Sequence, residues 1–146
     1  MINDDLYQQA LKIAENDDVA TLRDSVVLYS VSFLPTRENK DNAFAYVAKT
    51  KGATMIDQTP CGRRLVNLGL DDIELSVEDK LKVAEVWKIA SRRFIAEASG
   101  NVTAFVANAD PRSVFRSMEL PEIMKNPKIL SINGIEKNIF KSSHGW

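Results

Sequence analysis

The stretch VWKIASRRFIAEASGNVTAFV at residues 86–106, together with SVFRSMELPEI at residues 113–123, is the most informative part of this chain for its fold. Its first half continues an amphipathic helix that we predict to begin after the N-cap Ser76 and to end at Gly100. Residues 101–107 then form a buried strand, because they are rich in apolar and β-branched side chains. A long helix that leads directly into a buried strand is typical of α/β folds.

The sequence on the N-terminal side alternates in the same way. Apolar residues recur at helical spacing in segments 3–14 and about 40–51, the second with Phe44 on its apolar face and Gly52 as its C-terminal cap. Patterns typical of strands or extended chain occupy three further segments, 26–32, 54–58 and 128–132. We therefore predict an α/β fold with a mainly parallel sheet of about four strands, flanked by helices on both faces.

The connecting segments carry turn signals. We predict a turn at 59–62 and a loop at 68–75, directly before the long helix. Residues 113–126 mix a short strand or turn with a helical piece that starts near Pro121. A polar tail, KSSHGW at 141–146, ends the chain.

Composition narrows the class of protein. Of 146 residues, 45% are hydrophobic and 27% charged, as in ordinary globular proteins. No stretch approaches the roughly 20 apolar residues that span a bilayer. Residues 1–146 are expected to form one domain. The net charge is −1, so no cationic field favours nucleic acid or an anionic membrane.

The few cysteine and histidine residues exclude several kinds of site. Cys61 is the only cysteine and His144 the only histidine, so neither an internal disulfide nor a Cys/His zinc site is expected. A nucleophilic thiol has little support, because no histidine is near Cys61. The start MINDDLYQQALKIAE lacks the pattern of a signal peptide. If the protein is exported, a segment outside this chain exports it, and Met1 lies within a longer polypeptide.

Three side chains are suited to chemistry on a nucleotide. Glu119 lies in an apolar run, where burial would raise its pKa and mark it as a functional candidate; the alternative is a solvated residue at a strand end. Trp87 offers a flat aromatic surface, or it is simply a core residue of its helix. Asp57 and Glu119 together resemble the two carboxyl groups of a glycosidase.

Basic residues offer a second set of candidates. Arg92, Arg93 and Arg112 could neutralise a diphosphate by bidentate contacts. Ser91 adds a hydroxyl donor on the helix that carries Arg92 and Arg93. The alternative is that these arginines lie on a solvated surface. Neither GxGxxG nor GxxxxGK[ST] occurs, so a nucleotide would have to bind in another mode.

Four ordered motifs resemble those of the ADP-ribosyl cyclase and NAD glycohydrolase family. The LLWS motif of that family is similar to Leu28–Ser30, and its TLEDTxxG motif to TMIDQTPCG at 54–62. Its helix motif FWKxxSRRFAE is similar to VWKIASRRFIAE at 86–97, and STFGSVE is similar to SVFRSME at 113–119. The resemblance extends over roughly residues 27–132 and implies an ADP-ribosyl cyclase-like fold with a reduced N-terminal helical part.

The resemblance implies a role for each matching residue. Glu119 would be the catalytic glutamate, with Ser91 close to the reacting ribose carbon. Asp57 would take the acidic position that influences hydrolysis against cyclisation. Trp87 would stack on nicotinamide, and Phe115 would pack beside the glutamate. Further substrate contacts are expected from the remaining matches, Tyr29, Ser30, Thr59 and Arg92. NAD would be the substrate, and no cofactor or metal is expected.

The departures from the family pattern point to an unusual member. Tyr29 stands where the family has tryptophan and Asp57 where it has glutamate, and the disulfides of the animal ectoenzymes are missing, which fits a reducing compartment. A small version without disulfides resembles the C-terminal toxin domains of bacterial contact-dependent inhibition and polymorphic toxin systems. Such a domain would be secreted within a larger carrier, act in the cytoplasm of the target cell and have a cognate immunity protein as partner.

Two alternatives stay open at this point. A noncatalytic nucleotide-binding or partner-binding module could keep the fold without turnover, since a fold alone does not guarantee chemistry. A tRNA-cleaving toxin would need a basic groove, and the nearly neutral charge disfavours it.

Overall fold

The sheet is built from four short strands whose spatial order follows their order in the sequence. In the computed structural model, which describes residues 2–70 and 73–146, these strands are β1 (Val27–Tyr29), β2 (Gly100–Phe105), β3 (Ile129–Ile132) and β4 (Ile135–Glu136). β2 pairs in parallel with both β1 and β3, and β4 pairs antiparallel with β3. The predicted α/β fold with a mainly parallel sheet of about four strands is confirmed.

Six α-helices accompany the sheet within the described residues. They are α1 (Asp4–Asn16), α2 (Glu38–Lys49), α3 (Pro60–Asn67), α4 (Val77–Ala96), α5 (Leu120–Lys125) and α6 (Lys137–Ser143). A 3-10 turn at Ile56–Gln58 and a π-helical turn at Phe115–Glu119 also contribute to the candidate site. None of the helices in the described part of the chain is long and apolar enough to cross a membrane.

Helix α4 begins as predicted after the N-cap Ser76, for local reasons, but it ends at Ala96 and not at Gly100. The Ser76 side chain accepts a hydrogen bond from the Asp79 backbone N–H at 3.1 Å, and two acidic residues in the first turn suit the helix dipole. The predicted apolar stripe packs inward, with Ala90 and Phe94 fully buried. Gly100 has φ +78°, which favours glycine, and it begins β2 where the predicted helix was to end.

Several local predictions are wrong. Residues 54–58 are not extended, because the chain forms the 3-10 turn after a single bridge between Val26 and Thr54. The predicted turn at 59–62 is the start of α3: Thr59 is its N-cap and Pro60 its first residue, a position where the missing N–H of proline costs nothing. Helix α2 ends at Lys49 with Thr50, not Gly52, as its cap.

Phe44 also differs from prediction: it is 43% exposed, since α2 buries a different face through Asn39 and Ala43. The polar tail at 141–146 begins within α6, which spans residues 137–143 and has His144 as its C-cap. Two predicted features fall outside the described residues, namely the start of the domain at Met1 and, in the loop at 68–75, positions 71 and 72.

Candidate active site

A pocket with a volume of about 260 Å³ lies beside and beyond the end of β1. In parallel sheets, ligands bind outside the carboxyl ends of the strands, so its position suits a functional site. Aliphatic and aromatic side chains dominate its wall, and Ser91 and Glu119 are its polar exceptions. The full lining consists of Val27, Leu28, Tyr29, Val31, Met55, Ile56, Trp87, Ser91, Val114, Phe115 and Glu119.

Helix α4 contributes Trp87 and Ser91 to this pocket. Residues four apart lie on the same helix face, so both side chains point the same way. Ser91 is only 7% exposed, and its hydroxyl has no hydrogen-bond partner among the described residues. A buried hydroxyl with a free donor and acceptor suits contact with a polar ligand.

The π-helical turn contributes Phe115 and Glu119. The Leu120 N–H donates to the Phe115 carbonyl, the five-residue spacing that defines such a turn. Ser113 helps to start it, since its Oγ accepts from the Arg116 N–H at 3.1 Å. Turns of this kind are rare and occur often at functional sites, so its place under Glu119 is informative.

Glu119 is the most perturbed acid of the pocket. Glu119 is 8% exposed, and burial raises the pKa of its carboxyl to about 8. Within residues 2–70 and 73–146, no donor or cation offsets that burial. A carboxyl group without a partner in an apolar wall favours the protonated form until a cation is placed beside it.

Tyr29 ends β1 and presents its ring to the pocket. Burial raises the pKa of Tyr29, and the nearby charges of Asp57 and Glu119 raise it further, whereas Arg37 lowers it. Its ring also packs against Phe44, with centroids 6.4 Å apart. Tyr29 therefore lies close enough to both acidic groups to feel their charge, and it stays a neutral aromatic surface.

Asp57 lies on the 3-10 turn beside the pocket, although it is not part of the lining. Burial raises the pKa of its carboxyl, and Lys40 lowers it. Its Oδ1 atom is buried without a hydrogen-bond partner among the described residues. The turn packs closely against Gly62 of α3. A Cβ added at Gly62 would collide with the Ile56 carbonyl oxygen and lie 2.6 Å from Asp57 Cα.

Three of the predicted substrate contacts lie outside the lining. Thr59 is buried and caps α3, with its hydroxyl accepting from the Gly62 N–H and donating to the Ile56 carbonyl. Ser30 is buried, and its hydroxyl donates to the Val31 carbonyl. Arg92 is half exposed and pairs with Glu122 at 3.7 Å. Their contact with a substrate stays a prediction.

The other arginine and thiol candidates have structural partners. Arg93 donates to the Ala14 and Asp17 carbonyls at 2.7 Å each, which ties α4 to the end of α1. Arg112 is an exposed side chain 3.6 Å from Asp110. Cys61 is buried, its thiol donates to the Ile13 carbonyl, and burial raises its pKa. No cluster of metal-binding side chains occurs among the residues described.

Some residues of the site escaped the sequence patterns. Val31 and Val114 line the pocket yet are 61% and 41% exposed, so they form its rim. Asn39 bonds the Ser30 and Ala107 carbonyls and the Ala107 N–H, which joins α2 to the ends of β1 and β2. An asparagine near a helix start has no distinctive sequence signal, so only the fold reveals this function.

Comparison with known proteins gives a structural similarity. No protein-family model matches the chain, and no curated protein matches it. Among solved structures, the apo structure of porcine CD38 is similar, with a TM-score of 0.49 and 17% sequence identity. The alignment covers 89% of this chain and 67% of the porcine chain. Since a fold hosts many functions, the function has to be argued from the pocket itself.

Proposed function

We propose that this protein is an NAD glycohydrolase that cleaves the bond between nicotinamide and ribose. The observation that carries the proposal is one buried carboxyl, Glu119, in a pocket walled by the aromatic residues Tyr29, Trp87 and Phe115. Aromatic faces and a carboxylate both attract cations, and the nicotinamide ring of NAD is cationic. The pocket thus combines two features that select the reacting end of this substrate.

The reaction needs charge stabilisation more than acid catalysis. Nicotinamide leaves as a neutral molecule with the electrons of the bond, and positive charge develops on the ribose. An ionised Glu119 held beside that carbon stabilises the charge, and a dry apolar wall strengthens the effect. Trp87 and Tyr29 hold the nicotinamide ring, and Ser91 contacts the ribose.

The product depends on which nucleophile captures the ribose. Water attack gives ADP-ribose and a proton, whereas attack by the adenine ring gives cyclic ADP-ribose. We propose hydrolysis as the main outcome. Asp57 occupies the acidic position that influences hydrolysis against cyclisation. Its unpartnered Oδ1 is able to accept a hydrogen bond from water or from a ribose hydroxyl, which supports hydrolysis.

The biological setting that we propose follows from the sequence resemblance. The domain acts as an interbacterial toxin that is secreted within a larger carrier and depletes NAD in the cytoplasm of the target cell, where an immunity protein of the producer neutralises it. The support is the similarity to small toxin domains without disulfides, together with a single cysteine that is buried.

The test is NAD turnover by the purified protein, with nicotinamide, ADP-ribose and cyclic ADP-ribose separated by chromatography. We expect turnover in the wild type and a loss of roughly a thousandfold in Glu119→Gln, which keeps the shape and removes the charge. Glu122→Gln is the matched control: it changes a carboxyl three residues away that only forms surface ion pairs, and it should stay active. An inert, folded wild type would instead support the noncatalytic binding module.

A further inference from the structure

The π-helical turn that carries Glu119 leans on the C-terminal end of the chain. The Trp146 ring meets Phe115 edge to face, with centroids 6.0 Å apart. The Arg116 guanidinium carbon lies 4.8 Å from the centroid of the same indole ring. Two consecutive residues of the turn therefore contact Trp146, and one of them, Phe115, forms the pocket wall beside Glu119.

Trp146 is itself held in place. Gly145 has φ +69°, and the Trp146 N–H donates to the Lys141 carbonyl at 3.1 Å, which folds the chain back over α6. The His144 ring packs on the indole with centroids 4.5 Å apart, and Phe140 meets it edge to face at 6.0 Å. These contacts hold the indole against the C-terminal end of α6.

The same C-terminal segment also holds the far end of the helix that follows the turn. The Lys137 ammonium donates to the carbonyls of Ile123 and Asn126 at 3.2 and 2.7 Å, at the C-terminal end of α5. Each of these carbonyls also accepts a backbone N–H, from Asn126 and Ile129 respectively, and a cation suits the helix dipole there. The turn and α5 are therefore supported at both ends by residues 137–146.

We propose that Trp146 is a positioning residue for the reaction: through Phe115 and Arg116 it holds the π-helical turn in the geometry that places Glu119 beside the ribose. The inference rests on the proposed function. Trp146 does not line the pocket, so its effect passes through the turn. A π-helical turn is an uncommon conformation, so packing against it from outside helps to keep it, and small displacements of a catalytic group slow a reaction strongly.

The test compares Trp146→Ala, Trp146→Phe and the control Ile139→Ala in NAD turnover, with the folded fraction measured by circular dichroism. Ile139 is an exposed residue of the same helix α6. We expect Trp146→Ala to lower kcat by roughly tenfold to a hundredfold with a small change in KM. Trp146→Phe, which keeps a ring against Phe115, should restore most of the rate, and Ile139→Ala should behave as wild type.

A second readout distinguishes positioning from loss of structure. A loosened turn admits water to Glu119, so the pH dependence of kcat/KM in Trp146→Ala should shift towards acid; lower structural stability alone would leave the profile unchanged. Arg116→Gln, which removes the cation from the indole, should shift it in the same direction if Trp146→Ala fails to fold.

The outcomes separate this inference from the proposed function. A wild type without NAD turnover overturns the proposed function. An active wild type with a Trp146→Ala variant of equal kcat and equal pH profile overturns the positioning inference alone. A kcat loss with a shifted profile and rescue by phenylalanine supports it.

Discussion

The two sides of helix α4 differ in how their polar groups are satisfied. On one side, Arg93 donates two hydrogen bonds of 2.7 Å to carbonyls at the end of α1. On the other, the Ser91 hydroxyl and the Glu119 carboxyl face a pocket and have no partners among the described residues. Buried polar groups are normally paired, so the unsatisfied side is the one shaped for a ligand and the satisfied side serves stability.

Removing the unpaired charge should produce the largest change in stability. The pKa of Glu119 is raised from 4.5 to about 8 in the folded protein. The native state therefore binds more protons than the unfolded state between these values, and wild-type stability falls as the pH rises through this window. Glu119→Gln avoids this loss, so above pH 8 it should be more stable than wild type by up to about 5 kcal/mol.

Urea unfolding of both proteins at about pH 5 and about pH 9 measures this effect. The difference should be small at the acidic pH and grow towards the alkaline one. Parallel pH dependences of the two proteins would contradict the burial of an unpaired carboxyl. Glu122→Gln is again the control, since its carboxyl is not buried in the pocket wall.

Removing the Arg93 hydrogen bonds on the other side of α4 should lower the free energy of unfolding. Arg93→Met keeps the aliphatic part of the side chain but leaves the Ala14 and Asp17 carbonyls without their donor, which should cost about 2 to 3 kcal/mol of unfolding free energy. Arg92→Met, one residue earlier, removes only a half-exposed ion pair and should cost less than about 1 kcal/mol.

Chemical denaturation of the two arginine variants gives these values, and NAD turnover per folded molecule should survive in Arg93→Met. Equal stability losses in both variants would show that the buried hydrogen bonds of Arg93 stabilise the fold no more than the half-exposed ion pair of Arg92. A loss of turnover in folded Arg93→Met would show that the two sides of α4 are not separate in function.

A bound cation should give the Glu119 carboxylate a partner, and the resulting pH dependence of NAD affinity should be smaller than the stability changes above. A cationic nicotinamide favours the ionised carboxyl, so by linkage NAD binds better as the pH rises towards the Glu119 pKa of about 8. We expect the affinity for a nonhydrolysable NAD analogue to increase by up to about fivefold between pH 7 and pH 8 and to level off above about pH 9. Calorimetric titration at several pH values measures it, and Glu119→Gln should show a flat profile. A flat profile in wild type would mean that Glu119 does not meet the cation.

Local sequence signals predicted only part of this fold. Helix α4 follows from its cap and apolar stripe, and strand β2 from its apolar and β-branched side chains, because these signals act within one segment. The 3-10 turn and the start of α3 were missed, since the close approach at Gly62 depends on the packing of two segments. The conformation of residues 115–119 was missed as well, because no periodic pattern distinguishes a π-helical turn.

The predicted site residues likewise fall into two groups, those that line the pocket and those that do not. The resemblance of ordered motifs selected Tyr29, Trp87, Ser91, Phe115 and Glu119, and the fold brings these five into one pocket. It does not do so for Ser30, Asp57, Thr59 and Arg92, and the single domain over residues 1–146 stays a prediction. A motif records which residue types occur together along the chain, whereas the direction of each side chain depends on the surrounding packing.

The sequence by itself determined the α/β class and the long helix, because apolar periodicity is a local property, and the resemblance of its ordered motifs selected the residues from which a pocket could be made. Only the tertiary structure decided that Arg93 is a clamp between helices, that Glu119 is buried without a partner, and that Trp146 supports the turn beneath it. Burial and pairing depend on contacts between segments far apart in the chain, which a local pattern does not encode.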